Sequence, residues 1–153
     1  MSGGWDRLTP EGQRFFAEIE KLKEQQVFVG FQAGQVADDR GVDMAQIAMF
    51  NELGTSTAPS RPFLRMSVDE NEDKINTTCG RELESLKSGG TAETILRRVG
   101  ALGVRLVQEK IGSGSFEPNA ESTIRKKGSD KPLIDTGRMR QSVKYVIKRR
   151  GES

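Results

Sequence analysis

The chain has 153 residues, of which 34% are hydrophobic and 30% charged, and its formal net charge is +2. That length suits a single domain, spanning 1–153, with a core of its own, and the composition is lean but foldable. The sequence has no histidine and one cysteine, Cys79. Those counts exclude Ser-His-Asp and Cys-His catalysis, histidine-ligated metals, intrachain disulfides and cysteine-based zinc sites.

Thr9-Pro10-Glu11 predicts a helix start: Thr at the N-cap, Pro at the first helical position and an acid near the positive dipole end. Phe15, Phe16, Ile19 and Leu22 follow at helical spacing, so this face is expected to pack inward, and the helix to run to about Gln25. Val27 to Phe31 is a short β-rich run and predicts a strand. Gly34 to Gly41 predicts a loop.

Asp43 opens a second helix, with Gln46 as its capping-box partner. Ala45, Ile47, Ala48, Met49, Phe50 and Leu53 make that helix broadly apolar, which predicts burial on more than one side. Gly54 stands where a left-handed C-cap is needed. After a polar loop, Pro62 fixes Arg61 as extended and starts a helix. Leu64, Val68, Ile75, Leu83 and Leu86 predict one long, exposed helix from Phe63 to about Leu86, with Asp69, Glu70, Glu72 and Asp73 near its start.

Lys87 to Gly90 breaks the pattern, and Thr91 caps the next helix. Ile95, Leu96, Val99, Leu102, Leu106, Val107 and Ile111 form its apolar stripe. Gly100 and Gly103 each cost that helix about 1 kcal/mol relative to Ala, which implies a close approach by another element. The run from 112 to 115 ends the helix, Phe116 to Asn119 is a turn, Ala120 to Lys127 a short helix and Gly128 to Pro132 a loop. A turn of helix is expected at Arg138 to Gln141 and a strand from Ser142 to Lys148. The order predicts an α+β fold: a small antiparallel sheet packed with two long helices and shorter ones.

Charge is segregated. Arg125, Lys126, Lys127, Lys131, Arg138, Arg140, Lys144, Lys148, Arg149 and Arg150 face only Asp130 and Asp135 within 125–150, while the rest of the chain is acidic. Such a basic segment is either a solvated end or a surface for nucleic acid or an acidic partner. No apolar run is long enough to span a membrane, and Met1 to Asp6 does not read as a signal peptide. Gly112-Ser113-Gly114-Ser115 follows a helix and lacks a third glycine, so it reads as a linker and not a dinucleotide loop. The acids at 38–39 and 69–73 lack the pattern of a calcium loop. No catalytic residue, metal or cofactor is expected.

Three segments stand out: Asn51 to Thr55 (NELGT), Ser60 to Arg65 (SRPFLR) and Lys131 to Ser142 (KPLIDTGRMRQS). Each has a local explanation, as a helix C-cap, a proline-fixed helix entry and a capped turn. Together with VFVGF upstream, they resemble the virion morphogenesis proteins of tailed bacteriophages and prophages, the head–tail joining (neck or tail-completion) group. The likeness covers 27–67 and 116–147, about half the chain. In many members the TGR-type segment precedes the RPF-type one, whereas here the order is reversed.

The resemblance implies a small α+β subunit that assembles as a ring at the head–tail junction, without a catalytic centre, beside neighbouring neck, connector or tail-tube proteins. It implies location in the virion, assembly in the host cytoplasm, and a channel for DNA with non-specific contact allowed. The sequence offers Arg61, Phe63 and Arg65 for ordering the loop that reaches a neighbour, and Thr136, Gly137 and Arg138 for a second contact. A tail terminator or head-closure protein of the same virion is the alternative within that reading. From other classes, a DNA-binding accessory protein using 125–150 and an enzyme with a carboxylate site at Asp38, Asp39 or Glu52 stay open.

Overall fold

The computed structural model describes residues 8–32, 43–56, 59–113 and 137–151. The expected short helix at 120–127, the loops at 34–41 and 128–132 and the turn at 116–119 lie outside these. The architecture is α+β, mostly helical with a two-stranded antiparallel sheet. The elements are α1 (Pro10–Glu24), β1 (Gln25–Gly30), α2 (Met44–Leu53), α3 (Phe63–Asp69), α4 (Glu72–Ser85), a 3-10 turn (Leu86–Ser88), α5 (Ala92–Ser113), α6 (Gly137–Gln141) and β2 (Lys144–Arg149). No described helix is long and apolar enough to cross a membrane.

The chain divides into two compact units. One holds Met1–Phe28, Asp73–Leu102 and Tyr145–Ser153; the other holds Val29–Glu72 and Gly103–Lys144.

In the first unit, Thr9 Oγ1 accepts the Gly12 N–H at 3.1 Å, and Pro10 occupies the first helical turn of α1. The inward face of α1 differs from the expectation. Glu18 is its buried residue, while Phe16 is 41% exposed. A carboxylate is tolerated there because it satisfies the start of another helix: Glu18 Oε2 accepts the Ala92 N–H of α5 at 2.9 Å. The Arg14 guanidinium donates to the carbonyls of Leu86 and Gly90, tying α1 to the turn that precedes α5. Gly89 takes φ 97°, a left-handed geometry that favours glycine, and Thr91 Oγ1 accepts the Thr94 N–H.

The expected long helix over 63–86 is two helices and a 3-10 turn. The break falls at Glu70 and Asn71. Asn71 Nδ2 donates to the Ser67 carbonyl at 2.7 Å, and its backbone N–H turns back to Val68 O, three residues behind. An Asn side chain that competes for backbone groups ends a helix in this way. Glu70 is drawn aside by Lys110, whose Nζ lies 3.0 Å from both carboxylate oxygens. Glu72 and Asp73 then fall in the first turn of α4, where the dipole favours acids.

The strands lie one or two residues from their expected places, at 25–30 and 144–149. The ladder closes where the Arg150 N–H meets the Glu24 carbonyl at 2.8 Å. One sheet face lies on α5, and the two helix glycines explain how. A Cβ on Gly100 would stand 2.6 Å from two atoms of the Tyr145 ring, and one on Gly103 would stand 2.7 Å from Val29 Cγ2.

These glycines give a paired prediction. Alanine gains about 1 kcal/mol of helix propensity at either site, and overpacking costs about 1–3 kcal/mol. At Gly100 the obstacle is a rigid ring, so overpacking wins and Gly100→Ala lowers the melting temperature. At Gly103 the obstacle is one methyl of Val29, with its Cβ at 3.6 Å, so the helix gain offsets more of the overpacking and Gly103→Ala stays closer to the parent than Gly100→Ala. Thermal melts of the two variants check the order.

Candidate functional site

The segments singled out in the sequence meet in the second unit. Asp43 Oδ1 accepts the Ala45 N–H at 2.9 Å and starts α2, and Gly54, at φ 79°, ends it with its N–H on Phe50 O. Asn51 and Glu52, in the last turn, hold the returning chain. Asn51 O accepts the Arg61 N–H, and Glu52 O accepts the Ser60 hydroxyl at 2.6 Å. The Glu52 side chain then caps α3: Oε1 takes the Leu64 N–H at 2.9 Å and Oε2 the Arg65 N–H at 3.2 Å. Both oxygens of NELGT's carboxylate are thus engaged by the backbone of RPFLR, which answers two orphan donors of that helix. Glu52 therefore has a structural task, holding the start of α3. Asp38 and Asp39 lie outside the described residues.

Phe63 is fully buried. It packs with Met44 and Ala48 of α2, Val107 and Ile111 of α5, and Met139 and Val143 from the C-terminal segment. Phe31 meets it edge-on, with ring centroids 5.8 Å apart. So VFVGF, IAMFNELGT, RPFLR and GRMRQSV all contribute to one apolar cluster. α6 is held further by Gln108 Nε2 on the Arg140 carbonyl at 3.1 Å. The cluster was not legible as such, because its members are tens of residues apart in sequence.

The six proposed contact residues are placed differently from one another. Phe63 is interior and orders its segment from within. Arg61 is half-buried, and Arg65 is exposed. Gly137 is exposed at the start of α6, and Arg138 belongs to the same helix. Thr136 lies outside the described residues. α2 is buried on one side only, through Met44 and Ala48. Met49, Phe50 and Leu53 are 50%, 49% and 72% exposed, contrary to the expectation that this helix is covered on more sides.

In the first unit a cleft of about 490 Å³ opens beside the start of α5, with Glu18, Glu24, Glu93, Lys21 and Arg149 in its lining. Among the described residues no three acidic or cysteine side chains are grouped to hold a metal ion. The Glu18 carboxyl sits below its usual range, chiefly because its charged form accepts the Ala92 N–H, helped by Lys21 and opposed by burial. A lowered folded-state value means a stabilising contribution that is complete above the ordinary carboxylate range. It is lost as pH falls through the depressed value. Glu18→Gln is therefore expected to flatten the acid limb of the stability profile, which urea midpoints across pH 2 to 7 would reveal.

No known protein family matches this chain. Neither a curated protein nor a solved structure matches it either.

Proposed function

We propose that the chain is a structural virion protein of a tailed phage, a ring-forming tail-completion or neck subunit at the head–tail junction. One observation carries this reading: the described parts of the four sequence segments that resemble the head–tail joining proteins converge on a single core, and Glu52 of one caps the helix of another. A set of motifs that serves packing is what a subunit acting by shape requires. A set that served catalysis would instead aim its polar groups into a cleft.

In this reading the subunits close a ring through heterologous contacts, one patch meeting a different patch until the rotation closes. Arg65 and Gly137 are exposed on segments anchored to that core, so they are placed to meet a neighbour, and Phe63 fixes the backbone that presents Arg65. Virion location follows from the same reading.

The test is mass measurement in native buffer, alone and with connector and tail proteins, alongside imaging of assembled particles. A discrete ring, or incorporation at the head–tail junction, supports the proposal. A strict monomer missing from purified particles overturns it.

A further inference from the structure

We propose that the sheet face turned away from α5 binds single-stranded nucleic acid, independently of sequence. This goes beyond a role in ring assembly and stands on its own observations.

Side chains alternate across a strand. Val29 and Tyr145 point at the glycines of α5, so Phe28, Val146 and Lys148 lie on the opposite face. Phe28 is 46% exposed there, a large apolar ring in water on a strand whose other side is packed. Lys148 makes no ion pair among the described residues. Arg150 follows at the end of the ladder. Its Nε donates to the Lys23 carbonyl, which fixes the guanidinium by one nitrogen. Lys148 on the strand and Arg150 just past its end thus stand two residues apart on the same edge of the sheet that carries the exposed Phe28 ring.

Three acids of this end are gathered in the cleft. Glu18, Glu24 and Glu93 line the cleft together with Ile147 and Arg149, the alternate positions of β2. Arg149 shares that lining with three carboxylates, whereas no acid stands among the outward positions Gln26, Phe28, Val146 and Lys148 of the two strands. The separation of sign between the two faces of one strand favours a polyanion on the outer one.

The aromatic ring decides which polyanion. A duplex would use the cations for its phosphates and leave the phenyl face idle. A single strand offers unstacked bases to the ring while its phosphates meet Lys148 and Arg150. Stacking accepts any base, so the binding carries no sequence preference.

The experiment is fluorescence anisotropy of labelled oligothymidylate and of a mixed-sequence duplex with the full chain, over a range of salt. Expected is single-strand binding that weakens steeply with salt and exceeds duplex binding. Lys148→Glu with Arg150→Glu should weaken it at least tenfold. Phe28→Leu keeps apolar volume and removes the ring, so it should weaken the single strand by roughly tenfold and leave the salt slope unchanged. Circular dichroism melts verify folding of each variant. Absence of wild-type binding overturns the proposal, as does binding that neither variant changes. A Phe28→Leu variant with altered oligomer mass and unaltered oligonucleotide binding also overturns it, and makes this face a subunit contact. The presence or loss of oligonucleotide binding does not bear on particle incorporation, so the structural-protein reading stands or falls separately.

Discussion

Phe63→Ala is expected to destabilise the protein by about 3–5 kcal/mol, the usual cost of removing a fully buried phenyl group. The ring has 0% exposure and lies in a buried cluster drawn from four separate stretches of chain. Met44 and Ala48 come from α2, Val107 and Ile111 from α5, Met139 and Val143 from the C-terminal end, and Phe31 from the end of the first strand. Collapse of the cavity would require several of these to move together, so little of the cost is recovered by relaxation. A domain's whole stability is about 5–15 kcal/mol, so the variant stands near the limit of folding. A urea titration should show a lower midpoint with the slope preserved. Arg65→Ala provides the contrast. Its side chain is exposed, and the Arg65 N–H bonded to Glu52 belongs to the backbone. The substitution should change stability by only about 0.5 kcal/mol. Equal midpoints for the two variants would refute the placement of Phe63. If the ring-subunit proposal is right, Arg65→Ala also separates folding from assembly, because it alters a contact and leaves the core whole.

Much of the fold was legible because it is written in local signals. Thr9-Pro10-Glu11, Asp43, Gly54 and Thr91 each do in the structure what their chemistry dictates, and they bound α1, α2 and α5 to within a residue. The stripe of α5 was legible because seven apolar residues keep one period. Gly100 and Gly103 announced a close approach by their cost alone, although nothing local said that Tyr145 and Val29 were the visitors. The failures share a different cause. Asn71 looks like any polar residue on an exposed helix until its side chain finds the Ser67 carbonyl, and Glu70 until Lys110 finds it. Glu18 looks like the polar face of an amphipathic helix. Its burial depends on the Ala92 N–H, which lies 74 residues away. Spacing places Phe16 inward, but spacing cannot weigh one carboxylate with a specific partner against one phenyl ring.

The candidate site shows the same division. NELGT and RPFLR each had a local explanation, and both explanations hold. The bond between them was hidden. A glutamate twelve residues ahead of the N–H it accepts matches no capping pattern, since local boxes reach three residues. The one available signal was the length of the intervening loop, short enough to return the chain to the end of α2. Met139 carried even less signal: it lies among arginines, and its complete burial follows from α6 laying one side on the core.

Leu86→Ala is expected to cost about 2–5 kcal/mol, and Leu83→Ala well under 1 kcal/mol. The two leucines stand three residues apart, so a continuous helix through both would place them on one face and make them equals. The structure separates them. α4 ends at Ser85 and the chain tightens into the 3-10 turn at Leu86–Ser88. Leu83 is left 46% exposed and Leu86 has no exposure. The same turn is held from α1, since the Arg14 guanidinium donates to the carbonyls of Leu86 and Gly90. With its backbone pinned, the turn cannot shift to fill the space a truncated Leu86 leaves, so the cavity term adds to the transfer term. Backbone anchoring also predicts that Leu86→Met, which nearly conserves volume, costs under about 1.5 kcal/mol. Urea midpoints for the three variants test the order: Leu86→Ala lowest, Leu86→Met intermediate, Leu83→Ala closest to the parent. Equal losses at positions 83 and 86 would mean that the helix runs on unbroken and that the turn before α5 is misplaced.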